Sequence, residues 1–179
     1  SLRRMRLARR TLLGAAAALP ALLSGGRARA ATDRFVWLQN AAGEEVVGTY
    51  RSGEEHDLAA MARIRRLLRD RGAELEGPLP PLLVDMLSAL QEQWEFSRPI
   101  LVRSAYRTPW TNARIEGAAP ASLHLRGMAV DIAVPGMPLE DLSGRAWLLG
   151  HRLGFMGIGL YSGFVHLDIG PHRVWTRLR

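Results

Sequence analysis

An aspartate stands in the middle of an apolar run. Residues 122–134 read SLHLRGMAVDIAV, with Asp131 between Val130 and Ile132 and alanines at 129 and 133. Strand alternation puts Met128, Val130, Ile132 and Val134 on one face and Ala129, Asp131 and Ala133 on the other. The first face belongs to a core. The second carries a carboxylate flanked by small side chains, which leaves space for something to enter. A lone buried carboxylate is costly unless it is paired. Three partners would satisfy it: an arginine, a set of backbone donors, or a metal ion.

A second segment bears on that choice. In Phe164-Val165-His166-Leu167-Asp168-Ile169, residues 164, 166 and 168 share a face. If this strand pairs with the first, His166 stands beside Asp131, and His124 reaches the same point from the preceding loop. Two imidazoles and one carboxylate suit Zn²⁺ with a water in the fourth position. Such an ion lowers the pKa of its water toward about 7. The chain has no cysteine, so disulfides, thiolate sites and a cysteine nucleophile are excluded. Any bound metal must use nitrogen and oxygen ligands. Every basic residue is arginine, which also excludes lysine-based catalysis.

The first thirty residues read as an export signal rather than as part of the domain. They run from a basic start through the apolar stretch TLLGAAAALPALL to Ala28-Arg29-Ala30, which fits a small-residue cleavage site. Arg9-Arg10-Thr11-Leu12-Leu13 resembles the twin-arginine motif. The apolar stretch is shorter than the roughly 20 residues needed to span a bilayer. The division expected is residues 1–30 as signal and 31–179 as one domain, with no stable membrane span after signal removal and a periplasmic location. The signal holds seven arginines and no acid, and removing those seven from 24 leaves 17 basic residues against 17 acidic ones. The high isoelectric point therefore belongs to the signal, and no nucleic-acid partner is expected. The cluster Arg63, Arg65, Arg66, Arg69 and Arg71 lies at helical spacing and reads as a solvated helix face.

Along the remaining chain, residues 34–40 and 44–50 form a hairpin around Ala41-Ala42-Gly43. A helix is expected over 56–71, with Leu58, Met61, Ile64, Leu67 and Leu68 as its apolar face and Gly72 as its stop. Gly77-Pro78-Leu79-Pro80-Pro81 breaks the chain before a second helix over 82–96. A strand follows at 100–104, a polar loop at 106–121, a strand at 127–134 and a third helix at 139–153. The end, 157–161, 164–169 and 173–175, is strand-like. Helices early and strands late indicate an α+β fold, a small antiparallel sheet with helices packed on it.

Several of these motifs together resemble one family. Ser122-x-His124-x-x-Gly127-x-Ala129-x-Asp131, then Phe164-Val165-His166-x-Asp168-x-Gly170, is similar to the M15 peptidases, in the branch of exported murein endopeptidases. Leu67-Leu68-Arg69-Asp70, Ser104-Ala105-Tyr106-Arg107-Thr108, Thr111-Asn112-Ala113 and Gly170-Pro171-His172-Arg173-Val174-Trp175 extend the likeness over nearly all of residues 31–179. The resemblance implies the sheet fold shared by D-Ala-D-Ala carboxypeptidases and the hedgehog signalling domain. It implies His124, Asp131 and His166 as zinc ligands and peptidoglycan peptides as substrate.

Arg107 is then expected to stabilise the oxyanion that forms when a peptide carbonyl is attacked; its alternative is a salt bridge to a neighbouring acid. Tyr106 and Ser122 are expected to contact substrate, unless Ser122 serves only to cap its turn. Many M15 enzymes place an acid shortly before the last zinc histidine, and residues 159–165 here contain none. Asp168 is the expected proton handler or an orienting carboxylate for a ligand, with His172 the other candidate base. That missing acid also motivates the rival expectation, a wall-binding module that keeps the zinc site without cleaving.

Overall fold

The computed structural model describes residues 33–178. The expected export signal and the start of the domain at residue 31 lie outside the described residues. The chain opens with the hairpin β1 (Asp33–Asn40) and β2 (Glu45–Ser52), followed by the two-residue strand β3 (Glu55–His56). Helices α1 (Leu58–Leu67) and α2 (Pro81–Gln91) come next. Strand β4 (Ile100–Ser104), the short helix α3 (Pro109–Ala113) and strand β5 (Ala129–Ala133) form the middle of the chain. Helix α4 (Leu139–Leu153) precedes β6 (Phe155–Tyr161), β7 (Val165–Pro171) and β8 (Arg173–Arg177).

All eight strands join one sheet in the order β3-β2-β1-β4-β5-β7-β6-β8. The α+β class holds, but the sheet is mixed rather than antiparallel throughout. Strands β1 and β4 run parallel, and so do β6 and β8. The first parallel pair follows from the crossover through α1 and α2, which returns the chain to the sheet in the same direction. The second arises because β8 reverses after β7, which is antiparallel to β6, and so points the same way as β6.

One face of the sheet makes the core. Val36, Leu38, Ile100, Val102, Val130, Ile132, Ile158, Val165 and Leu167 meet Ile64 and Leu67 of α1, Leu83, Met86, Leu87 and Leu90 of α2, and Leu142, Ala146 and Leu149 of α4. Fully burying a Leu, Ile or Val side chain contributes about 1.5–3 kcal/mol, so this layer dominates stability. The opposite face of β5 and β7 carries the polar side chains Asp131, His166 and Asp168.

Helix α1 is shorter than its apolar spacing predicts. It stops at Leu67 because Asp70 exchanges two backbone hydrogen bonds with Leu75, and its Oδ1 accepts from the backbone N–H of Gly72 and Ala73. A side chain offering those local bonds competes with the helix ladder. Leu58, placed on the apolar face by spacing, is exposed. Helix α2 ends at Gln91 and a 3₁₀ turn continues to buried Trp94. The arginine cluster is largely paired: Arg65 with Glu76, Arg66 with Glu74 and Glu76, and Arg69 with Glu44 and Glu74. Among the described residues no helix is long and apolar enough to cross a membrane.

Candidate metal site and active site

The pairing of β5 with β7 sets Asp131 directly opposite His166. Strand β4 sets Ser104 opposite Asp131 on the other side, and β6 sets Gly159 opposite His166. His124 is not on a strand. It sits in a 3₁₀ turn, Leu123–Arg126, in which the His124 N–H is capped by the Ser122 hydroxyl and whose end is Gly127 at φ 63°. A Cβ at Gly127 would overlap the carbonyl oxygen of Pro78, so the turn packs directly on the Gly77-Pro78 segment. The strand expected from residue 127 accordingly begins only at Ala129.

Three ligating atoms converge. His124 Nε2 lies 3.2 Å from His166 Nδ1 and 3.2 Å from Asp131 Oδ1, and His166 Nδ1 lies 2.8 Å from Asp131 Oδ1. A tetrahedral ion with bonds of about 2.0–2.1 Å would separate its ligands by about 3.3 Å. His124 and Asp131 are buried and His166 is partly so.

The far nitrogens decide what the near ones offer. His124 Nδ1 is 2.6 Å from the carbonyl oxygen of Ala105, which accepts only, so Nδ1 carries the proton and Nε2 presents a lone pair. His166 Nε2 is 3.1 Å from Asp168 Oδ2, and a proton on that nitrogen leaves Nδ1 as an acceptor. Two lone pairs and a carboxylate oxygen then face one point with no donor among them, a set that repels itself until a cation sits there. The residues therefore fit a nitrogen- and oxygen-ligated metal ion.

Both carboxylates are held ionised. Burial pushes the Asp131 pKa up, but with no ion in place a proton taken up on His124 Nε2 or His166 Nδ1 is donated to Asp131, and these hydrogen bonds with the Arg107 charge outweigh burial and hold the group below the usual carboxylate range. Asp168 is opposed by burial too. Hydrogen bonds from His166, Arg173 and the Gly170 N–H lower it to about 2. For His166, burial favours the neutral ring, and the two carboxylates outweigh it, raising its pKa. Without an ion, protons compete for this site.

Glycines make room for the outer support. Across β6, Gly157 lies opposite both Asp168 and Arg173, and Gly159 lies opposite both His166 and Trp175. A Cβ at Gly157 would overlap Asp168 Oδ2, and one at Gly159 would come within 2.6 Å of the Trp175 ring. Arg173 therefore reaches over Gly157 to donate to Asp168 at 2.7 and 3.1 Å, while Trp175 leans over Gly159 toward His166 with ring centroids 5.3 Å apart. Sequence reasoning assigned no role to Arg173, Trp175 or the two glycines. The alternation Gly157-x-Gly159 beside Arg173-x-Trp175 was the available signal.

Arg107 also joins the cluster. Its Nε donates to Ser104 Oγ at 2.8 Å and its Nη2 donates to Asp131 Oδ2, so the salt-bridge alternative is present. Nη1 makes no hydrogen bond among the described residues. The Arg107 N–H donates to the His124 carbonyl, and the next residue, Thr108, is clamped by Asp70 Oδ2 through its N–H and hydroxyl at 2.8 and 2.9 Å. Ser122 spends its hydroxyl on the turn. The Tyr106 ring covers Gly77, where a Cβ would strike it, so it braces the loop that supports Gly127. Asp168 is fully buried, with both oxygens occupied.

His172 does not join the group. It lies in the bend between β7 and β8, outside either strand, whereas Arg173 at the start of β8 reaches the site. The His172 ring lies instead against α4, beside Gly150, Trp147 and His151. Its expected role as a base at the site has no geometric support.

The family profile described as peptidoglycan L,D-endopeptidase MepK matches residues 28–175. The Escherichia coli K12 protein named peptidoglycan L,D-endopeptidase MepK is 34% identical over 139 residues, covering 74% of each chain. A Haemophilus influenzae protein named probable peptidoglycan L,D-endopeptidase MepK is 30% identical over 140 residues, covering 74% of this chain and 73% of its own. With a profile match over residues 28–175 and a relative 34% identical across 74% of each chain, the chain belongs to the MepK family of M15 peptidases.

Proposed function

We propose that this protein is a zinc-dependent murein endopeptidase that hydrolyses L,D peptide cross-links of peptidoglycan outside the cytoplasmic membrane, reached by the twin-arginine route. The single observation that carries the reading is the convergence of His124 Nε2, His166 Nδ1 and Asp131 Oδ1, all acceptors, on one point. His124, Asp131 and His166 would hold the ion. When bound, it supplies Lewis-acid activation of water and of the scissile carbonyl.

The chain's own residues do the rest. The Ala105 carbonyl and Asp168 fix the two imidazole tautomers, which keeps Nε2 of one and Nδ1 of the other free to bind. Asp168 serves as that orienting carboxylate rather than as a proton carrier, because His166, Arg173 and the Gly170 N–H already occupy its oxygens. Arg107, with Nη1 unengaged, faces the negative charge that builds on the carbonyl oxygen during attack. Ser122 and Tyr106 act through the 3₁₀ turn and the Gly77-Pro78 loop.

The test is direct. Purified protein at one zinc equivalent is incubated with L,D-cross-linked muropeptide dimers, and products are separated by mass. Conversion to monomers, abolished by chelator and restored by zinc, is expected. No conversion with zinc bound at one equivalent would overturn the enzymatic reading. It would favour the wall-binding module, for which the absence of an acid from 159–165 is the supporting observation.

A further inference from the structure

Next to Arg107 the surface opens into a cleft of about 150 Å³, predominantly polar, whose lining includes Arg71, Arg103, Arg107, Asp70 and Thr111. Its charges are unequally satisfied. Arg69, also at its wall, is held by Glu44 and Glu74. Asp70 has both oxygens taken, by the Gly72, Ala73 and Thr108 N–H groups and the Thr108 hydroxyl. Arg107 is shared with Asp131. Arg71 and Arg103 are exposed and have no acidic or carbonyl partner among the described residues.

Their placement is built rather than incidental. The register of β4 against β5 slips between Val102 and Ser104, so Arg103 is an extra residue set against the Ile132–Asp131 step. It stands one residue from Ser104, which is itself opposite the Asp131 ligand. Arg71 follows the Asp70 that clamps Thr108. The bulge and the clamp thus bring two unpaired guanidinium groups to the cleft beside the reacting centre.

We propose that Arg103 and Arg71 form an anion subsite that takes a free carboxylate of the peptide substrate close to the scissile bond. This rests on the peptidase reading and adds the feature of the substrate that is recognised. Guanidinium groups pair with carboxylates in a planar, charge-assisted way. The cleft leads to Arg107, so a peptide anchored there presents its neighbouring amide toward the His–Asp–His cluster. A hydrogen bond to a charged group contributes enough that its loss costs about tenfold in affinity.

The test compares a cross-linked muropeptide bearing its free carboxylates with the same peptide amidated at those groups. Calorimetric titration of the zinc-loaded protein with the matching acidic and amidated cleavage products reads binding without turnover. For the unaltered protein, the acidic product binds about tenfold more tightly, and KM for the acidic substrate is lower by a similar factor. Arg103→Gln and the double variant with Arg71→Gln bring both ratios to near one. Arg152→Gln, an exposed arginine on α4, leaves them unchanged. Equal binding of acidic and amidated products by the unaltered protein, or a preference that survives in the double variant, overturns the subsite. Should neither substrate be cleaved, the peptidase reading fails, and the binding ratio still decides the subsite.

Discussion

His166 and His124 arrive at the same point by different routes. His166 comes from the interior of β7, and its position follows from pairing with β5 on one side and β6 on the other. Its outer support, Arg173 and Trp175, comes over two glycines of the neighbouring strand. His124 comes from a single 3₁₀ turn, held by the Ser122 cap, the Gly127 contact with Pro78, the Ala105 carbonyl and the Arg107 N–H. A strand-borne ligand is placed by many ladder bonds at once. A turn-borne ligand depends on a few contacts between segments distant in sequence. The strand side should therefore tolerate small changes in its surroundings that the turn side does not.

The largest expected effect treats both sides alike. His124→Ala and His166→Ala each remove one of the three proposed ligands, and each should reduce turnover by on the order of 10³-fold or more. Metal content after dialysis should fall well below one equivalent. Retention of a full equivalent by either variant would remove that histidine from the ligand set.

The next effect separates the sides. Gly127→Ala places a methyl on a backbone carbonyl at a left-handed φ, and should cost about 3 kcal/mol of stability in urea unfolding, with weaker metal binding. Gly159→Ala pushes on the Trp175 ring of an edge strand, which can shift, and should cost about 1 kcal/mol. Equal losses would break the contrast between turn and strand.

A smaller effect probes the strand side alone. Asp168→Asn keeps the shape but loses the carboxylate that orients His166, and should weaken metal affinity about 10–100-fold. Competition with a chromophoric chelator measures this, and unchanged affinity would deny Asp168 its orienting role.

The smallest concerns acid and the turn side. The hydrogen bonds from Arg69 and Asn40 hold Glu44 at about 2 rather than 4.5. A depressed pKa means that its contribution is complete above about 4.5 and fades as pH falls through about 2. Urea midpoints between pH 5 and 2 should thus decline less steeply in Glu44→Gln than in the unaltered protein. Parallel declines would show that this pair does not anchor the end of α1.

Legibility in the sequence followed the same division. Strand β4 and helix α4 fall where spacing puts them, and the expectation that β5 and β7 pair with Asp131 beside His166 is met residue for residue. The end of α1 was not readable, because Asp70 spends its side chain on a turn and on Thr108, 38 residues away. Nor was the place of His172, which lies in the bend between β7 and β8, where strand alternation does not apply.

The donor types were set by composition alone. A chain with no cysteine has no thiolate to offer a metal, which leaves nitrogen and oxygen as the donors for a hard or borderline ion, and a carboxylate amid valine and isoleucine demands a donor or a cation as partner. Which cations answer that demand was decided by tertiary structure. Arg107, His124, Asp131 and the 166–173 segment are separated in the chain, and only the strand order and the two glycines of β6 bring their side chains within bonding distance. Local sequence sets chemistry and period, whereas the sharing of one small volume by distant side chains is a property of the packed sheet.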